Sequence, residues 1–253
     1  MSNANPVAVV VGAGRGIGRT VAVRLSSEGY RVALVARSED QLCETALRCP
    51  GQTLVLPGDI TSAETVDRVF SVAEETWGSA EVLVANAGAS TSAPLTKTTD
   101  QQWAQMLDVN LTAPFRCIRR VIPNMVERGH GRIVVVASVA AKQGEPYISA
   151  YTASKHGLLG VVRSAAAELA TKGVTVNAVC PGYVDTSMTE QTIAVIAEKT
   201  GRTPEQALAS LEAKQLNRRL VLTEEVAEVV WLCITNAAIS GQGLNIDGGG
   251  VQN

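Results

Sequence analysis

The amino-acid sequence predicts an α/β fold in which seven parallel strands form one doubly wound sheet with helices on both faces. Three observations carry this prediction. Short β-branched runs alternate with segments of helical periodicity along the chain. The chain is 46% hydrophobic but has only 3 Trp, 4 Tyr and 2 Phe, so its core must consist of small aliphatic side chains that let helices approach a sheet closely. A glycine-rich stretch also follows the first predicted strand directly.

Runs rich in valine, leucine and isoleucine define the predicted strands. They cover residues 7–11, 31–36, 53–56, 81–85, 132–137, 174–179 and 243–246. Continuous apolar runs of this kind are typical of parallel strands that are buried on both faces. The segments between them carry apolar residues at helical spacing, as Leu158, Val162 and Leu169 do in the predicted helix 150–171. Each such helix has an apolar stripe that can lie on the sheet.

One domain covering residues 1–253 is the simplest prediction, because no linker, charge block, repeat or shift in composition interrupts the alternation. The segment 186–220, between the sixth and seventh strands, departs from the pattern and is rich in Ala, Glu, Gln and Lys. Its length and composition predict a helical excursion at the edge of the sheet. Excursions of this kind often cover a binding site, so we expect a substrate lid at about residues 186–220.

Charge and composition argue against several classes of function. A net charge of -2 offers no broad basic field for nucleic acid or an anionic membrane. The apolar runs are shorter than the ~20 residues needed to span a bilayer. The 5 cysteines include no CxxC pair, and the 2 histidines lack ligand spacing. We expect a cytoplasmic protein with reduced thiols, no metal, and neither a nucleic-acid nor a membrane partner.

The glycine-rich stretch has the spacing Gly-x-x-x-Gly-x-Gly and opens the first helix. Its glycines are Gly12, Gly16 and Gly18, with Arg15 and Ile17 between them. Glycines at a strand-to-helix turn let the backbone approach a pyrophosphate, and the helix N-terminus favours the negative charge. The stretch predicts a dinucleotide site, although a plain glycine-rich turn remains the alternative.

The end of the second strand bears on which dinucleotide would bind. Ala36 and Arg37 stand where an acidic residue would bind the ribose 2′-hydroxyl of NAD. A guanidinium at that point, together with Arg15, can pair with the 2′-phosphate of NADP through charge-assisted hydrogen bonds. NADPH is therefore the expected cofactor, with NADH as the alternative if Arg37 is only a solvated surface charge.

Polar and small residues follow the third and fourth strands as well. Asp59 and Ile60 come after the third strand, and Asn86, Ala87 and Gly88 come after the fourth. Ligands of open parallel sheets bind at the carboxyl ends of the strands, so these residues are candidates for cofactor contacts. Turn formation and helix capping are equally simple explanations for each of them taken singly.

Three further residues suggest acid–base chemistry. Ser138 follows the fifth strand, and Tyr151 and Lys155 stand four residues apart in a predicted helix. That spacing puts the phenol and the ammonium one turn apart on the same face. A neighbouring cation favours the phenolate, so we expect Lys155 to lower the pKa of Tyr151. Taken alone, the pair could equally be a half-buried aromatic ring beside a solvated charge.

Together these motifs resemble the single-domain short-chain dehydrogenase/reductase family along almost the whole chain, with its Rossmann-like sheet. The similarity is greatest to bacterial ketoreductases that act on 3-oxoacyl thioesters or polyketides. The resemblance implies a catalytic tetrad of Asn110, Ser138, Tyr151 and Lys155. It also implies cofactor contacts from Tyr151 and Lys155 and from the segment after the sixth strand, at Pro181, Gly182, Val184 and Thr186.

The resemblance further implies a reaction, in which hydride passes between the nicotinamide and a carbonyl carbon. Ser138 would bind the substrate oxygen, Tyr151 would protonate it, and Lys155 would hold the nicotinamide ribose. Asn110 would seat a water molecule that relays protons to Lys155. Gln143 joins Ser138 and Tyr151 as a candidate substrate contact.

Two positions depart from the family pattern and leave the reacting atoms untouched. Val11 replaces the usual threonine before the first glycine, and Ala85 replaces an asparagine before Asn86. Each departure removes a hydrogen bond near the adenosine side, which is worth about 1 kcal/mol.

Alternatives for function and assembly stay open from the sequence. The same site could oxidise a secondary alcohol or a hydroxyacyl thioester, act as a general ketone/alcohol oxidoreductase, or belong to a scaffold without turnover. The resemblance implies a homotetramer, for which the small residues 164–167 would allow close helix contact. Five cations in the lid could meet an acyl carrier or could simply be solvated: Lys199, Arg202, Lys214, Arg218 and Arg219.

Overall fold

The structure, a computed structural model, describes residues 5–252 and contains one parallel sheet within that range. Its strands are β1 (Val7–Val11), β2 (Arg31–Ala36), β3 (Thr53–Pro57), β4 (Val82–Ala85), β5 (Gly131–Val136), β6 (Val174–Pro181) and β7 (Gly243–Ile246). They lie in the order β3-β2-β1-β4-β5-β6-β7, and every neighbouring pair is parallel. The predicted seven-stranded parallel sheet is confirmed.

Helices cover both faces of this sheet. They are α1 (Gly16–Ser27), α2 (Glu39–Ala46), α3 (Ala63–Trp77), α4 (Asp100–Leu107), α5 (Ala113–Arg128), α6 (Ser149–Leu169), α7 (Ser187–Thr200), α8 (Pro204–Glu212) and α9 (Thr223–Thr235). One core contains Phe70 of α3, Cys117 of α5 and Leu158 of α6, while the other contains Leu25 of α1 and Val230 of α9. The predicted doubly wound architecture is confirmed.

Alternation along β1 shows how one strand serves both cores. Val7, Val9 and Val11 contribute to the core beneath α3, α5 and α6, whereas Ala8 and Val10 contribute to the core beneath α1 and α9. Successive side chains of a strand point to opposite faces, so a strand buried on both faces needs an apolar residue at every position. This requirement explains why the strand is an unbroken apolar run.

The predicted strand ends differ from the observed ones by two residues at most. The largest difference is in β6, which continues to Pro181 because Ala178 to Pro181 pair with β7. Proline lacks an N–H donor, and it is tolerated here at the last position of the strand. The predicted helix 150–171 is observed as α6, Ser149–Leu169.

The strand order creates a crevice at the carboxyl edge of the sheet. The chain adds β2 and β3 on one side of β1 and then returns to place β4 on the other side. The segments that leave β1 and β4 therefore diverge at a topological switch point, where ligands of open α/β sheets bind. The glycine-rich loop after β1 lies at this point, as do the segments after β4, β5 and β6.

The predicted excursion between the sixth and seventh strands is helical. It contains α7 and α8, and α9 then precedes β7. Val184 forms a parallel bridge with Val221, so the two ends of the excursion meet just beyond β6. Among residues 5–252, no helix combines the length and the apolar character that a bilayer crossing requires.

Candidate active site

The glycine-rich loop needs its three glycines for different reasons. Gly12 (φ 81°) and Gly16 (φ 53°) adopt left-handed backbone conformations that side chains with a Cβ rarely occupy. At Gly18 the reason is close packing, because a Cβ there would collide with the carbonyl oxygen of Gly12. The N–H groups of Gly12 and Ala13 donate to the carbonyl of Val35, at 2.7 and 3.2 Å, which anchors the loop on β2.

The N-terminus of α1, which the glycine-rich loop opens, has no side-chain cap within residues 5–252. Its N-cap residue, Arg15, is extended and makes no side-chain capping bond. By contrast, Ser38, Ser62, Thr99 and Thr203 each accept a backbone N–H at the start of α2, α3, α4 and α8. The first N–H groups of an uncapped helix favour an anion such as a phosphate. The loop and the helix start therefore fit the pyrophosphate of a dinucleotide.

The segment after β4 packs directly against the glycine-rich loop. The Asn86 side chain donates from Nδ2 to the carbonyl of Gly12 at 3.0 Å, and the N–H of Ala87 donates to the carbonyl of Val11 at 3.0 Å. A Cβ on Gly12 would come within 2.7 Å of the Ala87 nitrogen. Asn86 thus braces the loop although Val11 and Ala85, both buried, offer no polar side chain.

Two exposed arginines lie near the glycine-rich loop, Arg15 within it and Arg37 directly after β2. Arg15 and Arg37 are exposed, and their side chains make no hydrogen bond or ion pair with the rest of residues 5–252. Arg19 is different, because its guanidinium contacts the Gly14 carbonyl, Thr45 and Glu44. A Cβ on Gly14 would lie 3.6 Å from the Cβ of Ala36, which places the end of β2 beside the glycine-rich loop.

The two candidates after β3 have local roles in the structure. Asp59 is exposed, and its Oδ1 accepts from the N–H of Thr61 at 3.0 Å and from the Thr61 hydroxyl at 2.9 Å. Ile60 is 6% exposed and belongs to the core. Turn formation accounts for the Asp59 contacts seen here. A cofactor contact from either residue stays a prediction.

Ser138, Tyr151 and Lys155 come together at the carboxyl end of β5. Lys155 is 4% exposed and donates from Nζ to the carbonyl of Val136 at 3.0 Å. Its ammonium lies 5.7 Å from the centre of the Tyr151 ring, because one turn of α6 separates the two residues. The Ser138 hydroxyl accepts the Ala140 N–H at 3.1 Å, which places it at the start of the short 3₁₀ turn Val139–Ala141.

Burial dominates the protonation of both titratable groups. It raises the pKa of the Tyr151 phenol, while a hydrogen bond with Ser138 acts in the opposite direction. The expected lowering of the Tyr151 pKa by Lys155 is therefore wrong, because desolvation of the buried phenolate raises this pKa. Burial also lowers the pKa of Lys155 from its usual 10.5 to about 8. The raised pKa keeps the Tyr151 phenol protonated at neutral pH.

Lys155 is a buried cation without a carboxylate partner among the described residues. A buried charge without a counter-ion is costly, and such groups are concentrated at functional sites. The Val136 carbonyl uses one of its three N–H donors. The remaining donors fit the hydroxyl groups of a ribose in the crevice.

We expect Lys155→Met to raise the free energy of unfolding by about 2 kcal/mol at pH 7. The lowered pKa means that the charged Lys155 costs the wild type about 3 kcal/mol of unfolding free energy below pH 8, and the variant avoids this cost. The variant also loses the hydrogen bond to Val136, which offsets about 1 kcal/mol of its gain. Between about pH 8 and 10.5 the unfolded chain binds the proton and the folded chain does not, so the wild type should gain stability relative to the variant. Denaturant unfolding across this pH range measures both effects. A variant less stable than wild type at pH 7 would contradict this account of Lys155.

Asn110 lies in a π-helical turn, Asp108–Thr112, that joins α4 to α5. Its side chain is fully buried, donates from Nδ2 to the carbonyl of Ala89 at 2.9 Å, and accepts the N–H of Ala89 at Oδ1 at 3.1 Å. A Cβ on Gly88 would lie 2.9 Å from Asn110 Oδ1 and 3.6 Å from Lys155 Nζ. Asn110 and Lys155 therefore flank the segment after β4, and π-helical turns are frequent at functional sites.

The segment after β6 completes the crevice opposite the glycine-rich loop. Pro181 and Val184 are buried, and the N–H of Gly182 donates to the carbonyl of Ile246 at 3.0 Å. A Cβ on Gly16 would lie 3.2 Å from Cγ2 of Thr186, the N-cap of α7. The structure therefore brings the start of α7 against the start of α1. A dinucleotide lying along the crevice would meet both segments.

The predicted substrate residue Gln143 lies on the loop between β5 and α6. Its backbone N–H donates to the carbonyl of Val139 at 3.1 Å. Its side chain is partly buried and forms no hydrogen bond with the other described residues. A role in substrate binding stays a prediction.

Sequence reasoning missed a polar cluster that joins the loop after β5, the segment after β6 and the end of the predicted lid. Glu145 accepts from the Tyr183 hydroxyl at 3.1 Å and from the Lys214 ammonium at 2.7 Å. Lys214 and Arg219 are two of the five lid cations that could contact an acyl carrier or be solvated. In the structure Lys214 forms an ion pair with Glu145, and Arg219 forms one with Glu225. The members of the cluster are far apart in sequence, so no local pattern marks them. Within residues 5–252, no group of His, Cys, Asp and Glu is arranged to hold a metal ion.

Comparisons with known proteins agree with this geometry. A family model described as short chain dehydrogenase matches residues 6–196. A putative ketoacyl reductase of Streptomyces coelicolor is 37% identical, with 96% of each chain covered. A D-beta-hydroxybutyrate dehydrogenase of Rhizobium meliloti is 34% identical over 96% of this chain and 97% of its own. The crystal structure of a variant of actinorhodin polyketide ketoreductase with NADPH superimposes with a TM-score of 0.93 at 36% identity, covering 97% of both chains.

Proposed function

The chain belongs to the short-chain dehydrogenase family and is an NAD(P)-dependent oxidoreductase of the CH–OH/C=O type, and from that premise we propose that it is an NADPH-dependent ketoreductase. Its proposed substrate is a 3-oxoacyl thioester or a related ketone. The observation that carries the proposal is the cluster of Ser138, Tyr151 and the buried Lys155 at the crevice, where Lys155 has no carboxylate partner among the described residues. Among its relatives, the Streptomyces coelicolor protein is described as a ketoacyl reductase.

The proposed catalytic residues divide the work of carbonyl reduction. When bound, the nicotinamide supplies the hydride that reaches the carbonyl carbon. Ser138 donates a hydrogen bond to the substrate oxygen and keeps it near the phenol of Tyr151. Tyr151 gives its proton to that oxygen as negative charge develops, and its raised pKa keeps the proton in place until then.

Lys155 and Asn110 support this proton transfer from the side away from the substrate. Lys155 holds the nicotinamide ribose and supplies a positive charge beside the phenol. Asn110 braces the segment after β4 through Ala89 and is proposed to seat a water molecule that restores the proton by way of Lys155. The remaining proposed contacts orient the dinucleotide, and they lie in the glycine-rich loop, in Asn86 to Gly88 and in Pro181 to Thr186.

The direction of the reaction follows from the proposed cofactor. Arg15 and Arg37 are free to bind a 2′-phosphate, which favours NADPH and hence reduction. The second candidate is oxidation of a secondary alcohol or a hydroxyacyl thioester at the same site. The relative described as a D-beta-hydroxybutyrate dehydrogenase supports that candidate. A general ketone/alcohol oxidoreductase would use the same residues on simpler substrates.

A substrate panel tests the proposal. Purified protein is assayed with NADPH and with NADH on a 3-oxoacyl thioester, a cyclic ketone and an aryl ketone, and in reverse on the matching alcohols. We expect the highest kcat/KM for NADPH with the thioester. If every simple ketone is reduced faster than the thioester, the general oxidoreductase is favoured. If oxidation of the alcohols with NAD⁺ is faster than reduction with NADPH, the dehydrogenase is favoured.

Several wider features belong to the same proposal. Residues 1–253 form one domain, and residues 186–220, which include α7 and α8, act as the substrate lid. The substrate is a small carbonyl compound that an acyl carrier can deliver, and Lys199, Arg202 and Arg218 are the lid cations without an ion pair among the described residues. The five free cysteines suit a reducing compartment, so the proposed location is the cytoplasm.

We also propose a homotetramer and expect sedimentation at micromolar concentration to give four chains per particle. Ser164 and Ala167 of α6 are exposed small residues that allow close helix contact, and Trp103 and Phe115 expose 42% and 41% of their surface on α4 and α5. Burial of these residues between chains would remove exposed apolar surface. A stable monomer at that concentration would contradict the proposal.

A further inference from the structure

Three charged or polar side chains from the segments after β5, β6 and α8 form a closed cluster. The hydroxyl of Tyr183 and the ammonium of Lys214 both donate to Oε2 of Glu145, at 3.1 and 2.7 Å. Lys214 also donates to the Tyr183 hydroxyl at 3.1 Å, and its ammonium lies 5.3 Å from the centre of the Tyr183 ring. Each member of the cluster therefore contacts the other two.

The cluster joins three segments that come from distant parts of the chain. Glu145 lies on the loop between β5 and α6, Tyr183 follows β6, and Lys214 follows α8 in the proposed lid. The neighbouring Gln215 is 2% exposed; it accepts from the N–H of Tyr183 at 3.1 Å and donates to the Tyr183 carbonyl at 3.3 Å. The Gln215 side chain thus satisfies both backbone polar groups of Tyr183, as the backbone of a neighbouring strand would. The end of the lid is fixed to Tyr183 through both backbone and side chain.

The position of Glu145 connects this cluster to the proposed catalytic residues. Its loop runs from Ser138 to Tyr151, so a displacement of Glu145 moves the connection between the two. Two residues later Tyr147 has a φ of 71°, and its carbonyl accepts the N–H of Ala93 at 2.8 Å. The loop is thereby held to the lid on one side and to the segment after β4 on the other.

We propose that Glu145 is a positioning residue that fastens the end of the lid, through Lys214 and Tyr183, to the loop carrying Ser138, and so sets the substrate-side wall of the pocket. The inference rests on the proposed function, because the wall matters for a ketone that binds beside Tyr151. Within residues 5–252, the hydrogen bonds of the three side chains do not include the glycine-rich loop. Loss of the cluster should weaken ketone binding and leave the dinucleotide site unchanged.

Burial and charge indicate that the cluster affects local geometry more than global stability. The side chains of Glu145 and Lys214 are 17% and 48% exposed. Ion pairs with an exposed partner add little to the free energy of unfolding. They do restrict the orientation of the two segments they join, because a carboxylate that accepts two donors has few alternative positions. A variant without Glu145 should therefore stay folded and lose only the alignment of the pocket wall.

Steady-state kinetics test the inference on the full-length enzyme with Glu145→Ala, Glu145→Gln and Lys214→Met. We expect Glu145→Ala and Lys214→Met to raise the KM for the best ketone of the panel about 5- to 10-fold. This is less than the loss of a charge-assisted hydrogen bond to the ketone itself would cause, because the cluster acts only through the alignment of the pocket wall. The kcat and the KM for NADPH should stay within about 2-fold of wild type. Glu145→Gln keeps an oxygen acceptor for both donors and should recover most of the ketone affinity.

Arg219→Met is the matched control, because it removes another ion pair of the lid, with Glu225, that does not reach the loop carrying Ser138. We expect this variant to keep the wild-type KM for the ketone. An unchanged ketone KM in Lys214→Met, or an equal rise in Arg219→Met, would overturn the inference. A fall in kcat with an unchanged ketone KM would also overturn it, since the cluster would then act on the chemistry.

Hydrogen exchange of the ligand-free protein separates this inference from the proposed function. Peptides covering residues 139–149 and 210–220 should exchange faster in both Glu145→Ala and Lys214→Met, whereas Arg219→Met should leave residues 139–149 unchanged. If wild type reduces no ketone, the proposed function fails and the exchange data still decide whether the lid and the loop are coupled. Wild-type exchange of residues 139–149 in Lys214→Met would overturn the coupling whatever the activity.

Discussion

Replacing Tyr151 by phenylalanine is expected to lower kcat for ketone reduction at least ~100-fold, because positioned acid catalysis contributes at least that much. The ring of phenylalanine fills the same space beside Lys155, but the transferable proton is gone. Burial raises the pKa of the Tyr151 phenol, so in wild type the proton is present at neutral pH. The loss should therefore fall on kcat, and the affinity for NADPH should stay within about 2-fold, since the lost hydroxyl is not a phosphate contact.

The measurement combines steady-state kinetics with a fluorescence titration of NADPH on the same preparations. Tyr30→Phe is the matched control, because it removes a phenol that lies far from the crevice and packs edge-on against Trp231. We expect wild-type kcat in this control. If Tyr151→Phe kept more than about a tenth of the wild-type kcat, proton donation by Tyr151 would be wrong.

Arg37→Ala is expected to weaken NADPH binding about 10- to 100-fold and to leave NADH little changed. A charge-assisted hydrogen bond to the 2′-phosphate contributes roughly 1.5–3 kcal/mol, and NADH has no such phosphate. The Arg37 guanidinium is exposed and has no partner among the described residues, so its removal leaves no buried group unpaired. The effect should therefore be specific to the phosphorylated cofactor.

Ala36→Asp should reverse the cofactor preference, from NADPH to NADH. A carboxylate at this point would repel the 2′-phosphate and would accept a hydrogen bond from the ribose hydroxyl of NADH. The side chain would lie beside the glycine-rich loop, because a Cβ on Gly14 would come within 3.6 Å of the Ala36 Cβ. We expect kcat/KM to fall with NADPH and to rise with NADH in this variant.

The kcat/KM values for both cofactors in wild type and the two variants decide the assignment. Arg48→Ala is the control, since it removes an exposed arginine at the opposite end of α2 and should change neither value. A wild-type preference for NADH would contradict the assignment of NADPH. Equal losses with both cofactors in Arg37→Ala would do the same.

Most of the fold could be predicted because the two faces of the sheet impose a visible pattern. A strand such as β1 is apolar at every position, since its residues alternate between two cores. The ends of strands were less predictable, as in β6, where pairing with a strand more than sixty residues away extends it to Pro181. That pairing leaves no local trace in the sequence.

Some features of the candidate site could likewise be predicted from the sequence, and others could not. Gly12 and Gly18 could be recognised because a turn and a close helix contact require glycine at a short, local spacing. Tyr151 and Lys155 could be paired because both lie on one helix face. The raised pKa of Tyr151 could not be foreseen, because it depends on how deeply tertiary packing buries the phenol.

Long-range polar contacts mark the limit of what the sequence predicts. Lys214 reads as a solvated or carrier-binding cation on a helical segment, yet in the structure it donates to Glu145, 69 residues away. The sequence also does not show which arginines are paired. Among the described residues the Arg37 side chain has no hydrogen bond or ion pair, whereas Arg19 is bonded to Gly14 and Glu44. Such contacts depend on which segments the sheet brings together.

Deuterium transfer tests the central claim, NADPH-dependent ketone reduction through Tyr151, most directly. The protein is incubated with a 3-oxoacyl thioester and with NADPH that carries two deuterium atoms at C4 of the nicotinamide, and the product is analysed by mass spectrometry. The proposed function predicts a 3-hydroxyacyl product with one deuterium on the carbinol carbon, formed in amounts equal to the NADPH consumed. In Tyr151→Phe the rate of formation of this product should be at least ~100-fold lower. Unchanged thioester, or an alcohol without the label, would contradict it.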